Sequence, residues 1–176
     1  MIYKRKENEQ QAALQVAQLM AAAARTAPKG KGIDRLEILV IDGTDKEQLA
    51  KEMRKIASEQ DAAFFERDAG NIDQSQAVVL IGTVNATAGV PFCGYCGYKD
   101  CAENRENNGI CAIAVTDIGI AVGSAASIAA DHRCDNRVLF SAGKAALQLK
   151  LFSEPVIIAY GIPIALHGKN PFFDRK

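Results

Sequence analysis

Four of the chain's five cysteines stand close together, in a run that begins Cys-Gly-Tyr-Cys-Gly-Tyr. Their spacing is C-x2-C-x4-C-x9-C, at Cys93, Cys96, Cys101 and Cys111. The x2 step lets one tight turn direct two thiolates at one centre, and the glycine after each of the first two cysteines can adopt a positive φ that frees backbone N–H groups to point at sulfur. We therefore predict that these four side chains ligate one metal centre.

Three interpretations fit four clustered cysteines. An iron–sulfur cluster, 4Fe–4S in the simplest case, takes four thiolates, and N–H groups near the sulfurs tune its potential. Zinc also accepts four cysteines, but zinc ribbons usually carry two C-x2-C pairs, and zinc readily accepts His, which is missing from this set. A dithiol redox pair, or plain buried thiols, is the third interpretation. We favour the iron–sulfur cluster, with structural zinc as the alternative.

Other candidate groups are scattered along the chain and form no nucleophile–base arrangement, so no catalytic residue is predicted. Cys134 stands apart from the quartet, and we expect it to be an ordinary buried thiol. The acids at 61, 66, 68 and 73 are expected to be surface residues. In the first helix and the stretch after it, basic residues cluster, which indicates either a solvated face or an anion site.

Composition excludes several classes of protein. The chain has 176 residues, and its 21 Lys and Arg balance 21 Asp and Glu, whereas non-specific nucleic-acid binding needs a cationic surplus. The amino terminus is polar and no secretory signal is expected, so the cysteines should stay reduced in the cytoplasm. The apolar stretch 110–130 contains Asp117, which is costly in lipid, so we expect a buried helix and no membrane span.

Elements that must position the cysteines follow from hydrophobic periodicity and from turn residues. Strands alternate with helices, which predicts a layered sandwich, and the cysteines occupy a loop at 85–111. The small residues Gly119, Gly123 and Ser127 fall four apart on one helix face and allow close approach of another backbone. The predicted elements are helices at 7–27, from Thr44 (with Glu47 as a capping box), at 61–67, 112–130 and 142–149, and strands at 36–41, 77–84, 138–140 and 155–160.

The Cys-Gly-Tyr-Cys-Gly-Tyr loop resembles that of the uncharacterised prokaryotic proteins described as containing a ferredoxin domain, over nearly the whole chain. Three further segments are similar to the nitroreductase family: Ala-Ala-Ala-Arg25-Thr-Ala-Pro28, Asp117-Ile-Gly-Ile-Ala, and Tyr160-Gly-Ile-Pro. This second resemblance implies an α+β fold: a reduced nitroreductase-like α/β/α sandwich, one domain over 1–176 with an inserted cysteine loop. It also implies a homodimer with flavin at the subunit interface.

FMN contacts are implied by the same resemblance, at the loop that follows the first helix. The residues that match in position are Arg25, Pro28, Lys29, Gly30 and Lys31, and the lysines and the Gly30 backbone could bind an anion. Lys169 and Arg175 lie where nitroreductases often carry basic phosphate contacts. The chain departs from the family in lacking its Arg-rich first segment, its loop Ser and Asn, and any Trp.

Function is therefore expected to be redox chemistry: a cluster on a flavoreductase-like scaffold that passes electrons to or from a flavin, a small molecule or a redox protein. A non-enzymatic scaffold stapled by zinc is the alternative. An enzyme that uses an open iron site as a Lewis acid is less favoured, because four thiolates leave no open position.

Overall fold

The computed structural model describes residue 2 and residues 4–173, and it forms one sheet with helices on both faces. The helices are α1 (Arg5–Thr26), α2 (Gly43–Glu59), α3 (Ala63–Asp73), α4 (Cys101–Glu106), α5 (Ala112–Asp131) and α6 (Phe140–Gln148), with a 3₁₀ turn at Gly30–Gly32. The strands are β1 (Leu36–Ile41), β2 (Ala77–Val84), β3 (Asp135–Asn136) and β4 (Val156–Ala165).

The sheet has the order β1-β2-β4-β3, and every neighbouring pair is antiparallel. The central strand β2 turns alternate residues to opposite faces: Val79 and Ile81 pack into one core, and Val78 and Leu80 pack into the other. The near-continuous apolar runs of β1 and β2 predicted burial on both faces, which the structure confirms for β2. Such runs carry no information about strand direction.

Each face of the sheet has its own helical layer. On one face, α1 and α5 pack against each other and against the sheet, with Met20 and Ile118 fully buried between them and the strands. On the other face, α2, α3 and α6 bury Leu49, Met53 and Ile72. Two apolar cores therefore enclose one sheet, which is the predicted α/β/α sandwich.

Close approach of α6 to β4 depends on a glycine. A Cβ built on Gly143 would lie 1.8 Å from the carbonyl oxygen of Ala159, which is a backbone atom and cannot move aside as a side chain could. A second glycine, Gly161 of β4, lies against the Cβ of Ala142 from the opposite side of the same contact. The absence of two side chains thus sets the distance between helix and strand.

Several predicted boundaries are wrong. α3 continues to Asp73, and β4 continues to Ala165 through the glycine and proline that marked its predicted end. The predicted strand at 138–140 is reduced to one bridge between Leu139 and Gly161, because α6 begins at Phe140. The predicted capping box does not form: α2 begins at Gly43 after Asp42, with no side-chain cap bond.

One acid predicted to be at the surface is buried. Asp68 is 4% exposed, accepts a hydrogen bond from the Ser141 hydroxyl at 2.6 Å and pairs with Arg67. The contact joins α3 to α6, so this carboxylate belongs to the second core. Its position is consistent with the rule that a buried charge is paired and hydrogen-bonded.

Among the described residues, α5 is the one helix long and apolar enough to cross a membrane by length and composition. It packs against α1 and the sheet, and its Asp117 is buried and accepts a hydrogen bond from the Gly30 backbone N–H at 2.9 Å. These contacts are those of a core helix, as the sequence predicted.

Candidate metal centre

All four clustered cysteines line a single cavity of about 270 Å³. The cavity lies between the segment that leaves β2, the cysteine turn, α4 and the first turn of α5. Its wall is completed mainly by small and apolar residues, among them Ala88, Val90 and Ile113. Cys111 is buried and the other three cysteines are partly exposed. The structure thus brings the predicted ligands together at one place.

The turn that carries Cys93 and Cys96 has the predicted backbone. Gly94 and Gly97 have φ angles of 62° and 85°, in the region that favours glycine. The amide of Gly97 donates to the carbonyl of Gly94 at 3.0 Å, so this N–H closes the turn and does not point at a sulfur. The predicted positive φ is confirmed for both glycines, and hydrogen bonds from loop amides to the sulfurs stay a prediction.

Cys101 begins a short helix, α4, that the sequence analysis missed. Asp100 caps it by accepting hydrogen bonds from the amides of Ala102 and Glu103, and these bonds lower the pKa of Asp100 below its usual range. The Glu103 carboxylate in turn accepts from the amide of Lys99 at 2.6 Å. An Asp followed three residues later by Glu was the signal available in the sequence.

Cys111 is the residue immediately before α5, as predicted. The same end of α5 carries the 3₁₀ turn: a Cβ on Gly30 would meet the Ile113 side chain at 2.5 Å, and the Gly30 amide is bonded to Asp117. A thiolate at a helix amino terminus is electrostatically favoured. One rigid element therefore holds both the fourth cysteine and the turn that the nitroreductase resemblance assigns to flavin.

No three Cys, His, Asp or Glu side chains converge tightly enough to hold a metal ion anywhere in residues 4–173. A tetrahedral zinc site needs four sulfurs about 2.3 Å from one ion. Four thiols around one cavity supply that donor set, without converging on one point. The donor set, four Cys and no His, also suits an iron–sulfur cluster.

Cationic side chains hold the segment that runs from β2 to the cysteine turn. Arg35 donates to the carbonyl of Thr87 at 3.0 Å, Arg105 donates to the Thr87 hydroxyl at 2.8 Å, and Lys31 donates to the carbonyl of Gly89 at 3.3 Å. Three positive charges therefore surround this strip of backbone. The first and last parts of the loop also touch, because the Asn85 side chain donates to the carbonyl of Gly109 at 3.1 Å.

The residues that the resemblance assigns to FMN make contacts within the chain. Lys29 donates to the α1 carbonyls of Arg25 at 2.6 Å and Ala27 at 2.7 Å, where a cation stabilises the helix end. Arg25 pairs with Asp34 at 2.5 Å, and the Gly30 amide is taken by Asp117. Pro28 is exposed. FMN binding by these residues stays a prediction.

Three further residues were considered in the sequence: Cys134, Lys169 and Arg175. Cys134 is buried against the α1–α5 core, and burial, together with Asp135, raises the pKa of its thiol. It does not line the cysteine cavity, in agreement with its expected role as an ordinary thiol. Lys169 lies in the exposed segment after β4, and Arg175 lies outside the described residues.

Two further features are exposed at the surface. Gly119, Gly123 and Ser127 face solvent, and a Cβ on either glycine would meet no atom within 4 Å, so the stripe has no packing role inside the chain. On the cysteine loop, Phe92 is fully exposed and has a φ of 56°, a conformation that bulky residues rarely adopt.

Comparison with known proteins places this chain in a family. A sequence profile described as "Uncharacterized protein containing a ferredoxin domain" (DUF2148) matches residues 107–175. An uncharacterized protein from Archaeoglobus fulgidus is 36% identical over 184 residues, which span 99% of this chain and 98% of the relative. The profile match includes Cys111 but starts after the other three clustered cysteines, so it supports the family and does not test the ligand set.

Solved structures with a similar fold are flavoproteins. A nitroreductase with bound FMN from Desulfitobacterium hafniense is 14% identical with a TM-score of 0.60, over 88% of this chain and 78% of that one. A BluB-like flavoprotein from Clostridium difficile is 15% identical with a TM-score of 0.57, over 92% and 82%. An FMN-dependent nitroreductase from Mycobacterium smegmatis, solved with NADPH, is 11% identical with a TM-score of 0.58, over 88% and 78%.

Identities this low show the fold alone, and that fold is the nitroreductase-like sandwich predicted from the sequence. With the full-length relative and the profile match, they lead to one conclusion: the chain belongs to the family of uncharacterized proteins containing a ferredoxin domain, built on a nitroreductase-like fold.

Proposed function

We propose that this protein is a redox protein that holds an iron–sulfur cluster, 4Fe–4S in the simplest case, and passes electrons to or from a flavin or a small substrate. The observation that carries the proposal is that one cavity is lined by all four clustered thiols, Cys93, Cys96, Cys101 and Cys111. The ferredoxin-domain family and the flavoprotein-like fold both support a redox role. A bound cluster would supply a one-electron carrier.

Electrostatics also favour a thiolate-ligated centre here. Four thiolates with a cluster carry net negative charge, and the cavity lies beside the segment held by Lys31, Arg35 and Arg105. The fourth thiol precedes the positive end of the α5 dipole. Fixed positive charge and amide dipoles stabilise an anionic centre that would otherwise be costly to bury.

The 3₁₀ turn connects the centre to the rest of the scaffold. It touches the cavity wall twice, through Gly30 against Ile113 and through Lys31 against Gly89. The nitroreductase resemblance assigns flavin to this turn, and a flavin bound there would lie beside the proposed cluster. This arrangement supports electron exchange between the two sites as the function of the fold.

Metal analysis of protein purified without oxygen tests the proposal. We expect about four iron and four inorganic sulfide per chain, brown colour, and a broad visible absorbance that bleaches with dithionite. Colourless protein with about one zinc per chain would instead support the structural-staple alternative. Protein that contains neither metal after anaerobic purification, and that takes up neither on reconstitution, would contradict both.

FMN is the second proposed cofactor, and the fold neighbours that bind it are its main support. Of the two lysines in the turn, Lys31 is the better candidate for a flavin contact. Its side chain is exposed and makes one long bond, to the carbonyl of Gly89 at 3.3 Å, whereas the Lys29 ammonium makes short bonds to the carbonyls that end α1. Nearby positive charge favours reduced flavin, because its N1–O2 edge is anionic.

Titration with FMN, followed by fluorescence quenching, tests this part of the proposal. Binding tighter than about 10 μM, worth roughly 7 kcal/mol, is expected, and Lys31→Ala should weaken it. Lys29→Ala serves as the comparison, and a thermal melt separates loss of the helix cap from loss of a ligand contact. Absence of quenching in protein with its metal intact would leave a cluster protein without flavin.

We also propose a homodimer through α5. Val115 and Ile120 are exposed beside the small-residue stripe, and a two-fold axis would lay this face against itself. Light scattering at micromolar concentration should give twice the chain mass, and Gly123→Arg should give the monomer. A clean wild-type monomer would exclude this assembly.

A further inference from the structure

A buried amide, Asn104, lies in the wall of the cysteine cavity. It follows Cys101 by three residues on α4, so the two side chains share a helix face. Asn104 is 1% exposed, whereas Lys99 and Asp100 in the same wall are exposed to solvent. The loop therefore keeps one neutral, polar and water-excluded side chain next to its cysteines.

The hydrogen-bonding capacity of this amide is largely unused. Nδ2 carries two N–H groups but has one acceptor, the carbonyl of Ile110, at a distance of 3.4 Å. Oδ1 is buried and has no hydrogen-bond partner in the described part of the chain. Buried polar groups are usually paired, so the second N–H of Nδ2, which has no acceptor among the described residues, calls for an explanation.

The amide packs against the backbone of Gly109. A Cβ on Gly109 would lie 2.7 Å from Asn104 Nδ2 and 2.4 Å from the Tyr98 ring, so residue 109 is limited to glycine if both side chains keep their places. The terminal torsion of an Asn side chain has a broad energy profile. Rotation about it would exchange a weak contact with Ile110 for a stronger one elsewhere.

We propose that Asn104 is the side-chain hydrogen-bond donor to the sulfurs of the centre, and that it raises the reduction potential of the cluster. The inference rests on the proposed function. A thiolate-ligated cluster presents only acceptors, and N–H donors near its sulfurs stabilise the reduced, more negative state. Asn104 supplies an unused N–H in a dry environment, where such a bond is strong.

Redox titration of anaerobic protein, followed by visible absorbance and by EPR of the reduced state, tests the inference. Asn104→Leu removes the donor without adding charge, and it should shift the reduction equilibrium at least tenfold toward the oxidised state, about 59 mV for one electron. Asn104→Asp keeps the shape but adds negative charge, and it should shift the equilibrium further in the same direction. The matched control is Asn107→Leu, at the exposed end of the same helix, which should leave the potential unchanged.

If both variants keep the iron content of the wild type and have a lower reduction potential, Asn104 is a hydrogen-bond donor to the centre. The inference is wrong if the reduction equilibrium constants of both variants stay within a factor of two of the wild-type value. It is also wrong if both variants lose the cluster, because Asn104 would then act only in folding the loop. A wild-type protein without any cluster contradicts the proposed function itself, whereas a loaded protein that is insensitive to Asn104 contradicts this inference alone.

Discussion

β2 and the cysteine loop are neighbours in the chain, but their burial differs completely. Every residue of β2 from 77 to 83 is buried, whereas between 85 and 110 only Ala88 and Asn104 are. The strand is held by two apolar cores, and the loop is held by polar contacts from Arg35, Lys31 and Arg105. The difference teaches that hydrophobic burial holds the sandwich, whereas polar contacts hold the loop, and the proposed centre would add the ligand bonds that fix its cysteines.

The largest expected effect is loss of metal from the cysteine loop, with both apolar cores still folded. Changing Cys93, Cys96, Cys101 or Cys111 to Ser should remove most of the metal, because binding at a four-thiolate site is worth on the order of 10 kcal/mol and depends on every ligand. Iron analysis after anaerobic purification measures the loss, and circular dichroism should still show a folded core. Cys134→Ser is the control and should keep its iron. The ligand assignment fails if that control loses the metal while Cys111→Ser retains it.

The next largest effect is a loss of stability in the core, with the cysteine loop unaltered. Gly143→Ala places a methyl group against the backbone of β4, and we expect it to lower the free energy of unfolding by about 3 kcal/mol. Gly70→Ala, in α3 with no atom within 4 Å of the added Cβ, should instead be neutral or stabilise by up to about 1 kcal/mol. Urea denaturation of both variants gives the comparison, and equal stabilities would show that α6 and β4 separate easily.

A third, smaller effect tests whether the loop can be destabilised without affecting the core. Gly109→Ala pushes on the side chains of Tyr98 and Asn104, which can move, so the cost should be about 1 kcal/mol and confined to the loop. Iron release to a chelator should become faster, with the thermal midpoint of the metal-free protein unchanged. A lower midpoint without faster release would mean that the loop contributes to the core.

The smallest effect depends on pH and concerns a contact of the sheet edge. Burial raises the pKa of Glu37, but hydrogen bonds from the Ser153 hydroxyl and from the amides of Ser153 and Glu154 outweigh it and lower the pKa below the ordinary 4.5. A lowered carboxyl pKa stabilises the folded state above pH 4.5, and this contribution is lost as the pH falls further.

Glu37→Gln should therefore flatten the acid side of the stability–pH curve, by less than about 1 kcal/mol after solvent screening. Glu47→Gln on the exposed face of α2 is the matched control. Circular dichroism during acid titration gives an unfolding curve for each variant. If the two curves superimpose, Glu37 does not have this role.

The core was predictable because its signals are periodic. The bounds of β1 and β2 match the prediction, since apolar runs of strand length have few alternatives. The end of β4 was missed because Gly161 and Pro163 are typical of strand ends, yet the glycine is required by the contact with Ala142. Short-range sequence signals cannot report a contact made by a distant helix.

For the loop, the sequence predicted only that the four cysteines lie together. Spacing indicated the four cysteines, and the structure places them on one cavity. The roles of Lys29, Asp117 and Asn104 were not readable, because each depends on a hydrogen bond to a group whose position the fold decides. The sequence showed that the chain lacks the Arg-rich segment and the loop Ser and Asn of nitroreductases. It did not show that Arg25 and Lys29 bond to groups within the chain.

The contact between Asn85 and Gly109 has a consequence for how such a protein could arise and be re-engineered. The two residues are far apart in sequence but joined by a hydrogen bond, so the segment between them has adjacent ends. Closing so short a gap with a tight turn costs little chain entropy. A chain with 86–108 replaced by a two-residue Gly-containing turn is expected to fold as a plain sandwich, and the excised segment is a candidate for transplantation into other scaffolds whose strand and helix ends lie equally close.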